Sequence, residues 1–230
     1  SRDYSAEYVP TKWRGWWDYG CGALGDIGCH TFDAPFWVLG LGSPTKIEVE
    51  RKEPPGAGFI PMSSVVTYHF PARGGKPPVT LKWYEAGYPA PKPKCWDAKE
   101  ELPKEGGMYM EGAKATLFHE GMRPQSPEIL PAERFQELKG KLDKIKKLPD
   151  VGKGPIEEWF RAIKGEGPKP GSNFDYAAPL TEMVLLGALA QRTGHTIEWD
   201  ARKMKVKGHP ELDALIKEPA RSGWQYGERL

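Results

Sequence analysis

Cysteine is scarce. The three residues at 21, 29 and 95 are too few for a disulfide framework and show no Cys-x-x-Cys spacing of the kind that holds zinc, so they leave the redox compartment open. Long apolar runs are missing too: the longest, 183–190, contains a glycine and falls far short of the roughly 20 residues a membrane helix needs. Neither charge dominates, with 33 Lys and Arg against 31 Asp and Glu, a net charge of +2 and a pI near 8.3, which argues against nucleic acid or a membrane surface as partner. A secretory leader is absent from the polar opening Ser1 to Pro10, and there is no initiator methionine; the chain is expected to be a piece of something longer. No internal repeat or low-complexity tract interrupts it.

Glycine (27), proline (23) and tryptophan (9) are plentiful. The first two predict many turns joining short elements; the indoles suit either core packing or the flat faces of sugars. At 230 residues the chain can bury a real core. Alternating patterns predict strands at 45–52, 64–70 and 79–84, joined by Gly- and Pro-rich connections too short for helical crossovers, hence an antiparallel meander. Further strands are expected at 108–111 and 114–120, loop at 84–107 and 124–131, and a basic, solvated helix at 132–147. The segment 155–164 reads as a helix that starts at a proline and buries Ile156, Trp159, Phe160 and Ile163. A helix capped near Ser172 to Asp175 and running to Gly194 should be the main one on the sheet, followed by a strand at 196–199, a short helix at 209–217 and an aromatic tail at Trp224 to Tyr226. The expectation is one α+β domain over 1–230.

The chain is organised around 20–33, preceded by the aromatic run Trp13 to Tyr19. A helix over about 23–39 places Asp26, His30, Asp33 and Trp37 on one stripe. A carboxylate one turn before an imidazole can orient the ring and stabilise its charged form, as a general base requires. The same spacing also arises by chance, and the glycines of 20–28 sharpen the functional reading because they admit close approach of backbone or ligand. Gly20, Gly22 and Gly25 match Gly-x-Gly-x-x-Gly, yet no apolar parallel strand precedes them, so the dinucleotide-binding reading is rejected. Arg14, Trp17 and Asp18 are candidates for gripping a sugar or polyol, with guanidinium and carboxylate for hydroxyls and indole for the ring face; Tyr176, near a helix start, is a further one. Each of these residue types is equally at home in packing or an ion pair.

The run Trp13 to His30, together with Ser172 to Met183 and Ile197 to Asp200, resembles the Gfo/Idh/MocA oxidoreductase family (glucose-fructose oxidoreductase, inositol dehydrogenase and relatives), in a bacterial branch with a Trp-rich lead-in. The resemblance implies a C-terminal α+β domain, with an open, mostly antiparallel sheet and helices on one face, normally joined to an N-terminal Rossmann domain that holds NAD or NADP. That first domain is expected to be missing here. The family's Glu-Lys-Pro motif has no counterpart, the nearest string being Lys52-Glu53-Pro54 out of place, so the chain alone is expected to bind no cofactor and to be inactive. By motif position Asp26 and His30 match the family's catalytic pair: His30 would take a proton from a substrate hydroxyl and Asp26 would orient it. The implied parent acts on a sugar or polyol and is a homo-oligomer built through the open sheet, either periplasmic or cytoplasmic in a bacterium. A redox-assisted, NAD-dependent glycosidase and a non-catalytic oligomerisation module are the alternatives.

Overall fold

Alternation along 64–70 buries Ser64, Val66, Tyr68 and Phe70 to within 2% of full burial on one side and leaves Thr67 and His69 partly open on the other. This segment is β2 (Ser64–Phe70) of a computed structural model that describes residues 3–9, 11–54, 58–145, 154–217, 220 and 222–224. The other elements are α1 (Gly22–Leu39), β1 (Lys46–Arg51), β3 (Val79–Tyr84), β4 (Gly107–Glu111), β5 (Thr116–Glu120), β6 (Glu128–Leu130), α2 (Ala132–Leu142), α3 (Pro155–Lys164), α4 (Phe174–Thr193), β7 (Ile197–Asp200), β8 (Lys205–Val206) and α5 (Asp213–Ile216). Short 3-10 turns occupy Ala6–Tyr8, Lys12–Gly15 and Pro210–Leu212. Helices and antiparallel sheets together make an α+β fold. The chain divides into two compact units, one from Ser1–Gly28, Leu41–Pro89 and Glu182–Leu230, the other from Cys29–Gly40 and Ala90–Thr181, with boundaries inside α1 and α4.

The first unit holds a five-stranded sheet in the order β3-β2-β1-β7-β8, antiparallel throughout. The expected meander covers β1 to β3; β7 then joins on the free side of β1, where Ile197 stands opposite Ile47, and β8, too short to show a period, forms the edge. Register places Ile47, Tyr68 and Leu81 across from one another on the core face. Along that face runs the second part of α4: the amide of Gln191, fully buried, donates to Ser64 Oγ at 2.8 Å and to Glu85 Oε2 at 2.9 Å. Gly187 lies so close to the sheet that an added Cβ would run into the Tyr68 hydroxyl and stand 2.7 Å from Leu24 of α1. Burial, more than the nearby Glu85 charge, pushes the Tyr68 phenol up. The opposite face is charged: Glu48 takes hydrogen bonds from Lys46 at 2.8 Å and from His69 at 2.6 Å, which hold its carboxyl below the usual glutamate range.

The second unit contains the sheet β4-β5-β6, α2 and α3. Strand β6 falls inside 124–131, expected as loop; three residues carry no detectable alternation, and the pairing of Thr116 with Leu130, Leu117 with Ile129 and Phe118 with Glu128 defines it. Helix α2 ends at Leu142, short of the predicted 147, and Lys146 and Lys147 lie outside the described residues, as do Gln225 and Tyr226 of the aromatic tail. Helix α3 has the expected boundaries, from Pro155 at its first turn to Gly165 in the left-handed conformation. Its burial is not as expected. Ile156, Trp159, Phe160 and Ile163 are 50–67% exposed. Spacing makes four residues share a face; it does not supply a neighbour to cover that face. The long loop before β4 is tied by side chains, with Tyr109 Oη donating to the Pro91 carbonyl at 2.9 Å and Trp96 packed edge-on against Phe118.

Replacing Gly187 by leucine should lower the free energy of unfolding by about 1–3 kcal/mol or more, because the added atoms must displace Tyr68 and Leu24 together. Denaturant unfolding measures it, and an unchanged midpoint would show that α4 does not depend on this close approach.

Candidate functional site

Two groups of side chains contain the residues singled out in the sequence. In the first unit, the lead-in to α1 folds back on itself. Gly20 donates to the Trp16 carbonyl at 2.9 Å, and a Cβ on Gly20 would stand 2.7 Å from the Arg14 backbone, so only glycine lets this turn close. The closure carries the Arg14 guanidinium to the Asp26 carboxylate, where the two form an ion pair. Trp17 has the Arg192 guanidinium 5.7 Å above its ring. Asp18 is exposed. Trp16 is taken up in a packed aromatic group, edge-on to Tyr8 at 5.2 Å and to Phe59 at 6.2 Å. Burial, and secondarily the Asp26 charge, push the Cys21 thiol up, which makes it a poor nucleophile.

The second group lies wholly in the second unit. The later turns of α1, the first turns of α4 and the Met122–Pro124 segment enclose a cavity of about 430 Å3, whose polar lining is His30, Asp33, Arg123, Ser172, Tyr176 and Thr181. Local chemistry builds it. Asn173 accepts from the Asp175 amide at 3.1 Å, starting α4 where its side chain can cap the first turn. One turn in, Tyr176 donates to Asp33 Oδ1 at 2.6 Å and packs edge-on against Phe36. Thr31 Oγ1 donates to the Met122 carbonyl at 3.3 Å, which fixes the segment bearing Arg123 beside α1. Burial first, then the hydrogen bond and the negative charge of Asp33, push the Tyr176 phenol up.

Among the described residues, neither the His30 ring nor the Arg123 guanidinium has a hydrogen-bonding or ionic partner, so both are available to a molecule in the cavity. Of the sequence candidates, the structure therefore joins His30 with Tyr176 and, separately, Arg14 with Asp26; Trp17 pairs with Arg192. Arg123 and Ser172 had no signal that sequence reasoning could use, since a lone arginine in a loop and a serine before a helix are everyday features. Asp33 did have one, its place on the stripe with His30.

The glycines of 20–28 find their reasons inside the protein. A Cβ on Gly22 would stand 2.7 Å from Ile60, one on Gly25 would collide with the Cys21 sulfur, and one on Gly28 would crowd Leu24 at 3.2 Å and Val184 at 3.5 Å. The segment before them is a 3-10 turn with an isolated antiparallel bridge from Trp16 to Phe59, not a parallel strand. The chain's own atoms fill the space that the missing side chains leave.

Residues 1–66 match the family described as the oxidoreductase family, C-terminal alpha/beta domain. That stretch carries Arg14, Trp17, Asp18, Asp26 and His30. No curated protein matches the chain. Among solved structures it is similar to an oxidoreductase from Agrobacterium radiobacter, crystallised in complex with NAD+, L-tartaric acid and magnesium, at 12% identity and a TM-score of 0.39 over 75% of this chain. The chain spans about half the length of that protein, the match covering 48% of it.

With Asp33 replaced by asparagine, the Tyr176 phenol should titrate closer to ordinary tyrosines, since a negative charge that opposes ionisation is gone. A raised phenol favours folding at pH below the ordinary tyrosine range, and that contribution is lost as pH climbs through the folded value. Ultraviolet titration of the parent, Asp33→Asn and Tyr176→Phe isolates the group; no difference between parent and Asp33→Asn would break the link.

Proposed function

We propose that this chain is the substrate-binding part of an NAD(P)-dependent oxidoreductase that acts on a sugar or polyol hydroxyl, with His30 as the general base. The carrying observation is an imidazole without a partner among the described residues, lining a cavity whose other polar groups suit hydroxyl recognition. The match of residues 1–66 to an oxidoreductase C-terminal domain supports the reaction class.

In this reading a ring nitrogen of His30 accepts the proton of the substrate hydroxyl, and the same carbon becomes a carbonyl. The nicotinamide, held by a nucleotide-binding domain outside these residues, supplies the place to which the hydride goes. Within the cavity, the Tyr176–Asp33 pair offers both an acceptor and a fixed phenol to neighbouring hydroxyls, and Ser172 and Thr181 add short-range partners. Asp26, one helical turn before His30 in α1, is assigned to orienting the imidazole. Arg14 is assigned to holding that carboxylate, while Trp17 and Asp18 remain assigned to the sugar on chemical grounds alone. Assembly into a homo-oligomer would use the sheet face that bears Lys46, Glu48 and His69, a polar surface suited to a hydrated interface.

In the full-length protein, His30→Ala should reduce turnover by about 10²–10⁴-fold while KM stays within a few-fold, measured as NADH or NADPH formation across a panel of sugars and polyols. Parental turnover in that variant removes the role given to His30. The 230-residue chain, titrated with NADH, should show no saturable energy transfer from its tryptophans to the nicotinamide, whereas clear transfer would place a cofactor site within these residues.

A further inference from the structure

Away from the cavity, in the first unit, two turns beside the edge hairpin β7–β8 bring three ligand-type side chains together. His195 lies in the turn from α4 into β7, and His209 and Glu211 flank Pro210 after β8. One ligand atom from each lies within 4.8 Å of the others, the single such group of three among the described residues. The imidazole centroids of His195 and His209 are 4.7 Å apart with the rings inclined at 60°, and Nδ1 of His209 is 2.9 Å from Oε1 of Glu211.

We propose that His195, His209 and Glu211 bind a divalent transition metal of the zinc class, which clips the turn after α4 to the turn after β8. Two imidazole nitrogens and one carboxylate oxygen suit zinc and its neighbours far better than magnesium or calcium, which take oxygen ligands. Donors around a tetrahedral zinc stand about 3.4 Å apart with bonds of about 2.1 Å. The widest separation, at most 4.8 Å, must therefore close by up to about 1.4 Å and the 2.9 Å His209–Glu211 pair must open by about 0.5 Å, and they can: His195 and Glu211 are exposed and turn about their own side-chain bonds.

The backbone that presents them is held in place. Gly194 has a φ of +72° and packs against the Arg51 guanidinium, which in turn donates to the Gln191 carbonyl. The Lys207 amide donates to the Glu198 carbonyl at 2.8 Å, the Leu212 amide to the His209 carbonyl at 3.0 Å, and Leu212 is buried. Proline between His209 and Glu211 fixes one backbone angle of that turn. The fourth position faces solvent and takes water, and the gain is structural: β8 is two residues long, and a metal joining its far turn to the end of α4 ties down the sheet edge.

The test uses the whole chain, freed of metal with chelator, then titrated with Zn2+ by calorimetry and with Co2+ by visible absorption. The expected results are one saturable site, tetrahedral-strength cobalt bands without thiolate charge transfer, and a higher unfolding temperature with metal bound. His195→Ala and His209→Ala should each weaken Zn2+ binding at least about tenfold and abolish the thermal gain, while leaving the metal-free unfolding temperature near that of the parent. No saturable binding, undiminished binding in both variants, or thiolate bands pointing to Cys21, Cys29 or Cys95 would each overturn the proposal.

Discussion

The first unit depends on how closely α4 approaches the sheet at Gly187. Because that position has no side chain, the Tyr68 ring can stand upright from β2 with its hydroxyl against the helix, and Leu24 of α1 fills the remaining space. Gln191, one turn further on, then reaches Ser64 and Glu85 and converts an apolar contact into a directional one. A larger residue at 187 would lift the helix and lengthen those hydrogen bonds together. Interiors at near-crystalline density do not absorb such a shift locally.

The same packing bears on chemistry through α1. Leu24 lies against α4 at Gly187, and Gly28 sits under Val184, so the opening turns of α1 are fixed in direction and rotation. In the second unit, the Tyr176 hydroxyl donates to Asp33 and helps define the wall of the cavity.

Much of this was legible in the sequence. The extents of α1, β1 to β3 and α4 follow from periodicity and from glycine and proline at their ends, because one face of each is more buried than the other and burial writes a pattern. Asp26 shows where such reading stops. Its place one turn before His30 is written in the spacing, but its ion pair with Arg14, brought back by a turn that depends on Gly20, is not. Contacts made by folding back across loops leave no periodic trace, which is also why Arg123 and the clustering of His195 with His209 carry no sequence signal. The apolar stripe of α3 is the converse, a strong pattern without the burial it advertises.

The glycines at 20, 22, 25 and 28 fall within nine residues but answer to four separate neighbours: the Arg14 backbone, Ile60, Cys21 and Leu24. These steric demands are unrelated to one another, and they can relax one at a time. Residues 21 and 25 form a coupled pair in which a shorter side chain at the first frees room at the second, while 22 is tied to the size of residue 60. Among diverging relatives these couplings would appear as compensated exchanges, position by position, where a phosphate-binding loop would have to keep or lose its glycines as a set.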